Sequence, residues 1–426
     1  MAAALLAACG GAGRARDSRA VDPDWVVMLA GAGRAGVRGL AALPDGGAVA
    51  VGGFDGELAA GRVRLASAGA GDGFAVGLSP AGAVSWGVAL AGAGDQELTA
   101  VAAGAGLAVA GTSGGAAVLA GRAVEVTGQP GAVVARVDGS GAPLWQKSNS
   151  ATGYAVPAAL AWTGDGDLVV AGYFAGTLDP AGAALHGAGS QDVWVARLAG
   201  ADGRVMWMHR AGGPGPDAAR AIAVSEGGIV VAGSFHRWAD FSSTTLRSAD
   251  ESADPFLARV GPGGFAWARS LASEGAAVAQ ALVAAPGGRL AAAINFDGSL
   301  QVRDKRVEAS RERGSGMVAL FDMAGQPTGA GAMNGAGSAD ALVLAGEEMF
   351  VAGEAAGSGG YLAAVSPDGR LRWVVPIAGQ SVPAALAAGR DGVLVGGSAH
   401  GRLGIGRSAA AVAGESDGFV ARIPSD

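Results

Sequence analysis

The segment Asp24-Trp25-Val26-Val27-Met28-Leu29-Ala30-Gly31 reads as the end of a repeat whose earlier part is missing. Near the other terminus, Gly418-Phe419-Val420-Ala421-Arg422-Ile423-Pro424 reads as a repeat that lacks its last strand. Joined, the two fragments make one complete unit and close a ring. The pattern between them supports this. Its clearest copy starts at Asp217, with the apolar run Ala221-Ile222-Ala223-Val224, a Glu226-Gly227-Gly228 turn and the β-branched run Ile229-Val230-Val231-Ala232-Gly233-Ser234-Phe235. A polar stretch then leads to Asp254-Pro255-Phe256-Leu257-Ala258-Arg259-Val260, and a Gly-rich turn to Phe265-Ala266-Trp267-Ala268-Arg269-Ser270-Leu271. These are four strand signals separated by turn chemistry.

Tryptophan marks the fourth strand at Trp25, Trp86, Trp145, Trp207, Trp267 and Trp373, with spacings of 61, 59, 62, 60 and 106 residues. The last spacing holds two units, and the missing mark falls near Gly329. First strands begin near Val37, Leu98, Val156, Ala219, Val278, Ala339 and Val382. The expected fold is therefore all-β: a seven-bladed β-propeller of four-stranded blades. The N-terminal strand pairs with the C-terminal blade, an arrangement that leaves only short, protected sheet edges. An indole buries roughly 150–250 Å², so the tryptophans are expected to be core wedges between blades in a chain rich in Ala and Gly.

Composition agrees. Gly is 77 of 426 residues, and hydrophobics reach 50% with only 5% aromatic. That much Gly disfavours long helices. Net charge is −7, with Lys147 and Lys305 the only lysines. The arginines are interleaved with acids, so no nucleic-acid footprint is expected. No apolar run is long enough to span a membrane. The single cysteine, Cys9, allows no internal disulfide. Leu6-Ala7-Ala8-Cys9 resembles a bacterial lipobox, although only eight residues, none basic, precede the thiol. The chain divides into a partial signal and lipobox segment (1–9), a Gly-Ala-Arg-Ser-rich tether (10–22) and one propeller (23–426).

Gly189-Ser190-Gln191-Asp192-Val193-Trp194-Val195-Ala196-Arg197-Leu198, Asp202-Gly203, Trp207, Asp217 and the strands after Asp217 follow the order of the bacterial seven-bladed β-propeller (SBBP) repeat family, which they resemble. Asp192, Asp254 and Asp417 stand where that family has Asp. Arg136, Arg197, Arg259 and Arg422 stand where it has Lys, and Gly77, Ala319 and Ala364 depart. The resemblance implies a secreted or surface protein and no particular activity. Ala135-Arg136-Val137-Asp138-Gly139-Ser140-Gly141-Ala142-Pro143-Leu144-Trp145 is also similar to the tryptophan-docking motif of quinoprotein-like propellers. These typically have eight blades and include enzymes and outer-membrane assembly lipoproteins.

No catalytic constellation emerges. His186, His209, His236 and His400 lie in different repeats without metal-ligand spacing. Asp165-Gly166-Asp167 could be half of a calcium loop, but reads better as a hairpin turn. The recurring Phe-x-Gly-x-Leu segments at Phe54, Phe174 and Phe296, with a weaker copy at His400, read as a Gly turn requirement. Asp95, Asp217 and Asp340 precede first strands and are candidate ligand contacts on one channel rim. The alternative is that they cap turns by accepting backbone N–H bonds. The expectation is a monomeric, non-enzymatic, exported protein of the cell envelope, lipid-anchored through Cys9. It would bind a protein or glycan without cofactor or metal, and touch membrane only through the anchor. The alternative is a quinoprotein-like propeller.

Overall fold

In the computed structural model, Trp25–Gly31 lies antiparallel to Asp417–Ile423, in register from Trp25↔Arg422 to Leu29↔Gly418. The structure describes residues 21–126, 130–179, 184–309, 315–333, 337–357 and 359–424, and every regular element there is a strand. Blade one is Ala35–Ala42, Ala48–Phe54, Asp72–Leu78 and Val84–Gly92. Blade two is Gln96–Ala103, Leu107–Ser113, Gly131–Val137 and Pro143–Ser148. Blade three is Ala155–Trp162, Leu168–Phe174, Asp192–Leu198 and Val205–Ala211. Blade four is Ala218–Ser225, Gly228–His236, Ala253–Gly261 and Gly264–Ser270. Blade five is Ala277–Ala285, Arg289–Phe296, Ser315–Asp322 and Pro327–Ala332.

Blade six is Ala341–Ala345, Glu348–Glu354, Gly360–Val365 and the first part of Leu371–Gly389. That long strand runs on as the first strand of blade seven. The start of Gly392–Ile405, Asp417–Ile423 and Trp25–Gly31 complete blade seven. The first strands touch in succession around the ring, and Leu371–Gly389 returns to Ala35–Ala42. The sheets thus form the expected seven four-stranded blades, with the N-terminal strand in the last.

The polar stretches between second and third strands fold into hairpins that reach back to the preceding blade. Glu57–Ala60 pairs with Trp25–Gly31, Ala117–Leu119 with Val84–Gly92, and Ser299–Val302 with Ser273–Glu274, which follows blade four's last strand. The far part of Gly392–Ile405 likewise pairs with Ile377 and Ala378 at the end of blade six's last strand. This gives the Phe-x-Gly-x-Leu pattern its physical basis. Gly56, Gly176, Gly298 and Gly401 have φ of +67 to +77°, and each turns the chain so that the Leu two residues later is buried. Leu58, Leu178, Leu300 and Leu403 are all at most 1% exposed.

The tryptophans divide from the true core. Only Trp145 is buried; Trp25, Trp86, Trp207, Trp267 and Trp373 are half-buried, which corrects the expectation that all six are core. A repeating set of fully buried aromatics sits on third strands instead: Phe74, Trp194, Phe256 and Phe419 each follow an Asp by two, and Tyr361 occupies the same place in blade six, while Phe174, Phe235 and Phe350 are fully buried on second strands. The fourth-strand indoles pack against the core from its edge, with Trp145 inside it, under the next blade's turn. A Cβ on Gly82, Gly141, Gly203 or Gly325 would stand 2.5–2.7 Å from the ring of Trp25, Trp86, Trp145 or Trp267 respectively. All four glycines have φ of +70 to +83°, so only Gly fits both the turn and the ring.

Blade five lacks the indole. Its register sets Leu320 opposite Gly329, so Gly329 holds the Trp place and Leu320, not Ala319, the Lys/Arg place. There the blade-six turn closes directly on backbone, with Gly369 against Gly331.

Candidate binding site at the channel mouth

Six first strands carry a β-bulge at one place, skipping Arg38, Thr99, Ala158, Arg220, Gln280 and Ala384. In blade six the carbonyl of Ser338 approaches Gly353 as that of Gly36 approaches Gly52, which makes Asp340 the equivalent residue. Bulges re-aim side chains. Here they set one residue per blade on the innermost strands, near the end where those strands begin. Arg38 and Arg220 are exposed, and the Arg220 guanidinium lies 5.5 Å from the Tyr173 ring centroid.

Register also shows that the three candidate aspartates are not equivalent. Asp95 lies one residue before its strand and is exposed. Asp340 is at the bulge place; it accepts from Asn295 Nδ2 (2.7 Å) and Ser338 Oγ (2.6 Å). Asp217 is fully buried and accepts from the backbone N–H of Gly213 (2.7 Å) and His236 (3.0 Å). The turn-capping reading holds for Asp217, and Asp340 is held by side chains. Asp95 is left as the rim carboxylate.

Burial pushes the Asp217 carboxyl from 3.8 up to about 7, against its two backbone donors and with a further push from Asp192. Arg210 pairs with Asp192 at 2.9 Å. Folded protein therefore holds a proton at Asp217 between about pH 4 and pH 7 that the unfolded chain has released. Stability should fall as pH rises through that window, by at most about 4 kcal/mol. Urea midpoints measured across the window for wild type and Asp217→Ala, the residue of the equivalent positions 35, 155 and 277, check this. An unchanged slope in the variant would refute it.

The aspartates that open third strands are structural. Asp72 accepts from the N–H of Ala68 (2.5 Å) and Gly92 (3.0 Å), and Asp417 from Ala413 (2.7 Å) and Gly31 (3.4 Å). Asp192 accepts from Ala188 (2.7 Å), and Asp254 binds Ser273. Asp72 shares this role although the repeat comparison did not single it out. Asp165 and Asp167 form a hairpin turn, with Gly166 at φ +83°, and both carboxylates bind Arg197. Among the described residues no group of three His, Cys, Asp or Glu is placed to hold a metal ion. The four histidines lie apart; three bind a nearby Thr hydroxyl or backbone carbonyl and His209 stacks on Trp207.

At the same end of the ring a recess of about 700 Å³ opens between blades seven, one and two. Arg34, Arg38, Asp55, Asp95 and Glu97, with the buried Asp72, form its charged lining. Arg38 pairs with Glu97 (2.7 Å), and Arg34 with Asp55 (3.6 Å) and Glu415 (3.0 Å). Asp95 makes no ion pair among the described residues. Gln96 lines the recess too. It is 3% exposed, and neither Oε1 nor Nε2 has a hydrogen-bond partner. A buried polar group left so costs roughly 1–3 kcal/mol. Equivalent positions hold Ala35, Ala155, Ala277 and Gly337, or the bonded Asp217 and Ser381. The sequence signal for Gln96 was its departure from this Ala, visible only once register aligns the first strands. Cys9 lies outside the described residues.

No protein-family model and no characterised protein matches the sequence. Among solved structures the chain is similar to the quinohemoprotein alcohol dehydrogenase from Comamonas testosteroni, with TM-score 0.43 and 11% identity over 97% of this chain and 78% of that one. It is also similar to the Neurospora crassa Pan2 WD40 domain, with TM-score 0.46 and 10% identity over 93% and 98%. The computationally designed Ika8 protein gives TM-score 0.44 and 13% identity over 93% and 98%.

Proposed function

We propose that this chain is a non-enzymatic, exported propeller that binds a partner protein or glycan through the channel mouth. The observation that carries the reading is the open recess across blades seven, one and two, whose size suits a small ligand or a short segment of a larger one. Rigid strands hold its walls, as binding loops require. The arginines there neutralise carboxylates instead of flanking a nucleophile. The SBBP-like repeat order belongs to the same reading, as does lipid attachment at Cys9. Two measurements test it. Peptide and glycan arrays probed with wild type and an Ala384→Trp variant, which fills the recess without changing its charge, should show signal lost in the variant. An equal signal would overturn the mouth as the binding face, and a cofactor absorbance band in protein purified from its native source would overturn the non-enzymatic reading. Intact-mass measurement of membrane-fraction protein should show a lipid adduct on Cys9; an unmodified thiol would refute the anchor.

A further inference from the structure

We propose that the mouth recess takes a basic peptide segment, whose backbone amide is read by Gln96 and whose cationic side chain is held by Asp95. The inference rests on the mouth being the binding face and names what it binds.

Gln96 is the starting point. Its place in the repeat is filled elsewhere by alanine, by Gly337 in blade six, or by a side chain with its bonds made, as at Asp217 and Ser381. Only in blade two does a carboxamide stand there with donor and acceptor both unmatched, in the wall of a recess. A carboxamide is satisfied at both atoms by one group that offers N–H and C=O together, which is a peptide amide. A bare anion or cation meets only half of it. Both atoms are buried, so the Gln96 side chain must turn toward a seated segment to meet it.

Charge selects the rest. Arg34 and Arg38 in the lining face four carboxylates, Asp55, Asp72, Asp95 and Glu97. Asp55 and Glu97 pair with the arginines, Asp72 is fully buried on the backbone N–H groups of Ala68 and Gly92, and the exposed carboxylate left without an ion pair is Asp95, adjacent to Gln96. A cation about six bonds from a backbone amide nitrogen, as in a lysine residue, reaches both groups. The walls argue for peptide over sugar. Gly53, Gly71 and Gly94 present bare backbone, and Phe54, the aromatic residue of the lining, is 3% exposed and gives no face for a sugar ring. Gly94 cannot carry a larger residue, since a Cβ there would lie 2.9 Å from the Gly114 carbonyl oxygen.

Titration calorimetry of the full chain tests this with three probes: acetyl-Gly-Lys-Gly amide, its norleucine analogue, and chitotriose, which carries amides without a cation. The lysine peptide should bind wild type. Its affinity should fall about tenfold in Asp95→Asn and in Gln96→Met, which keeps the side chain's length without its polar atoms. The norleucine peptide should be weaker by a similar factor. Gln96→Met should not melt below wild type, whereas a Gln96 that serves only the fold would be missed on heating. Gln96→Ala, the repeat's own residue, replaces it should the methionine variant misfold. Unchanged peptide affinity in the Gln96 and Asp95 variants overturns the proposal. Chitotriose binding in place of the lysine peptide overturns the ligand class and leaves the mouth as binding face. If neither probe binds at millimolar concentration, both readings fall.

Discussion

A chain lacking residues 1–31 should lose the native ring. Trp25–Gly31 supplies the last strand of blade seven, and its partners Phe419 and Val420 are fully buried beneath it. Leu29 is itself 0% exposed. Removing the strand uncovers the edge of Asp417–Ile423 and also strands the Glu57–Ala66 hairpin, which pairs onto Ala30 and Gly31. Burial of one large apolar side chain is worth roughly 1.5–3 kcal/mol. Losing Leu29, the half-buried Val26, Val27 and Met28, and their cover over Phe419 should therefore cost on the order of 5–10 kcal/mol, comparable to the whole net stability of a domain. A chain that begins at Val21 should melt like the full one, because it keeps the Asp22–Arg407 and Asp24–Arg422 ion pairs. A synthetic peptide of residues 21–33 added in trans should restore part of the lost cooperativity. Matching melting curves for full-length protein and the 1–31 deletion would refute closure by this strand.

Much of this architecture was legible because a propeller repeats its local signals. Asp24–Gly31 was recognisable as an orphan fourth strand from the Trp spacing, and the absent mark near Gly329 falls where the register puts it. First-strand positions such as Leu98 and Val382 also fall in their expected strands. The site was less legible, for reasons of geometry. A β-bulge shifts which residue takes the inner position, so Asp95, Asp217 and Asp340, each just before an apolar run, end in three different places. Contacts between blades are non-local as well. Nothing near Phe54 or Phe296 in the sequence shows that the hairpin after it belongs to the blade before, and nothing near Trp145 shows which turn covers it. The unmatched carboxamide of Gln96 depends on all of these at once: its strand register, its blade neighbour and the absence of a partner across the seam.

Trp145→Ala should cost about 3–5 kcal/mol, the largest effect of any fourth-strand tryptophan. Trp145 is the one that is buried, at 6% exposed, and its Nε1–H donates to the Gly200 carbonyl at 2.8 Å. The acceptor belongs to the turn of blade three, so the bond and the ring contact with Gly203 both cross the seam between blades two and three. Two substitutions separate them. Trp145→Phe keeps an aromatic wedge but leaves the buried carbonyl without this donor, and should cost about 1–3 kcal/mol. The same change at Trp267, whose Nε1 is buried without a partner, removes an unmatched donor and should cost less. Gly203→Ala strains a backbone at φ +70° and drives a methyl into the indole. In Trp145→Ala the second penalty disappears, so the double variant should be less unstable than the sum of the two single changes. Urea unfolding of wild type, the four single variants and the double variant measures the coupling. Strict additivity, or equal costs for Phe at Trp145 and Trp267, would show that the seam is held by something other than the docked indole and its bond to Gly200.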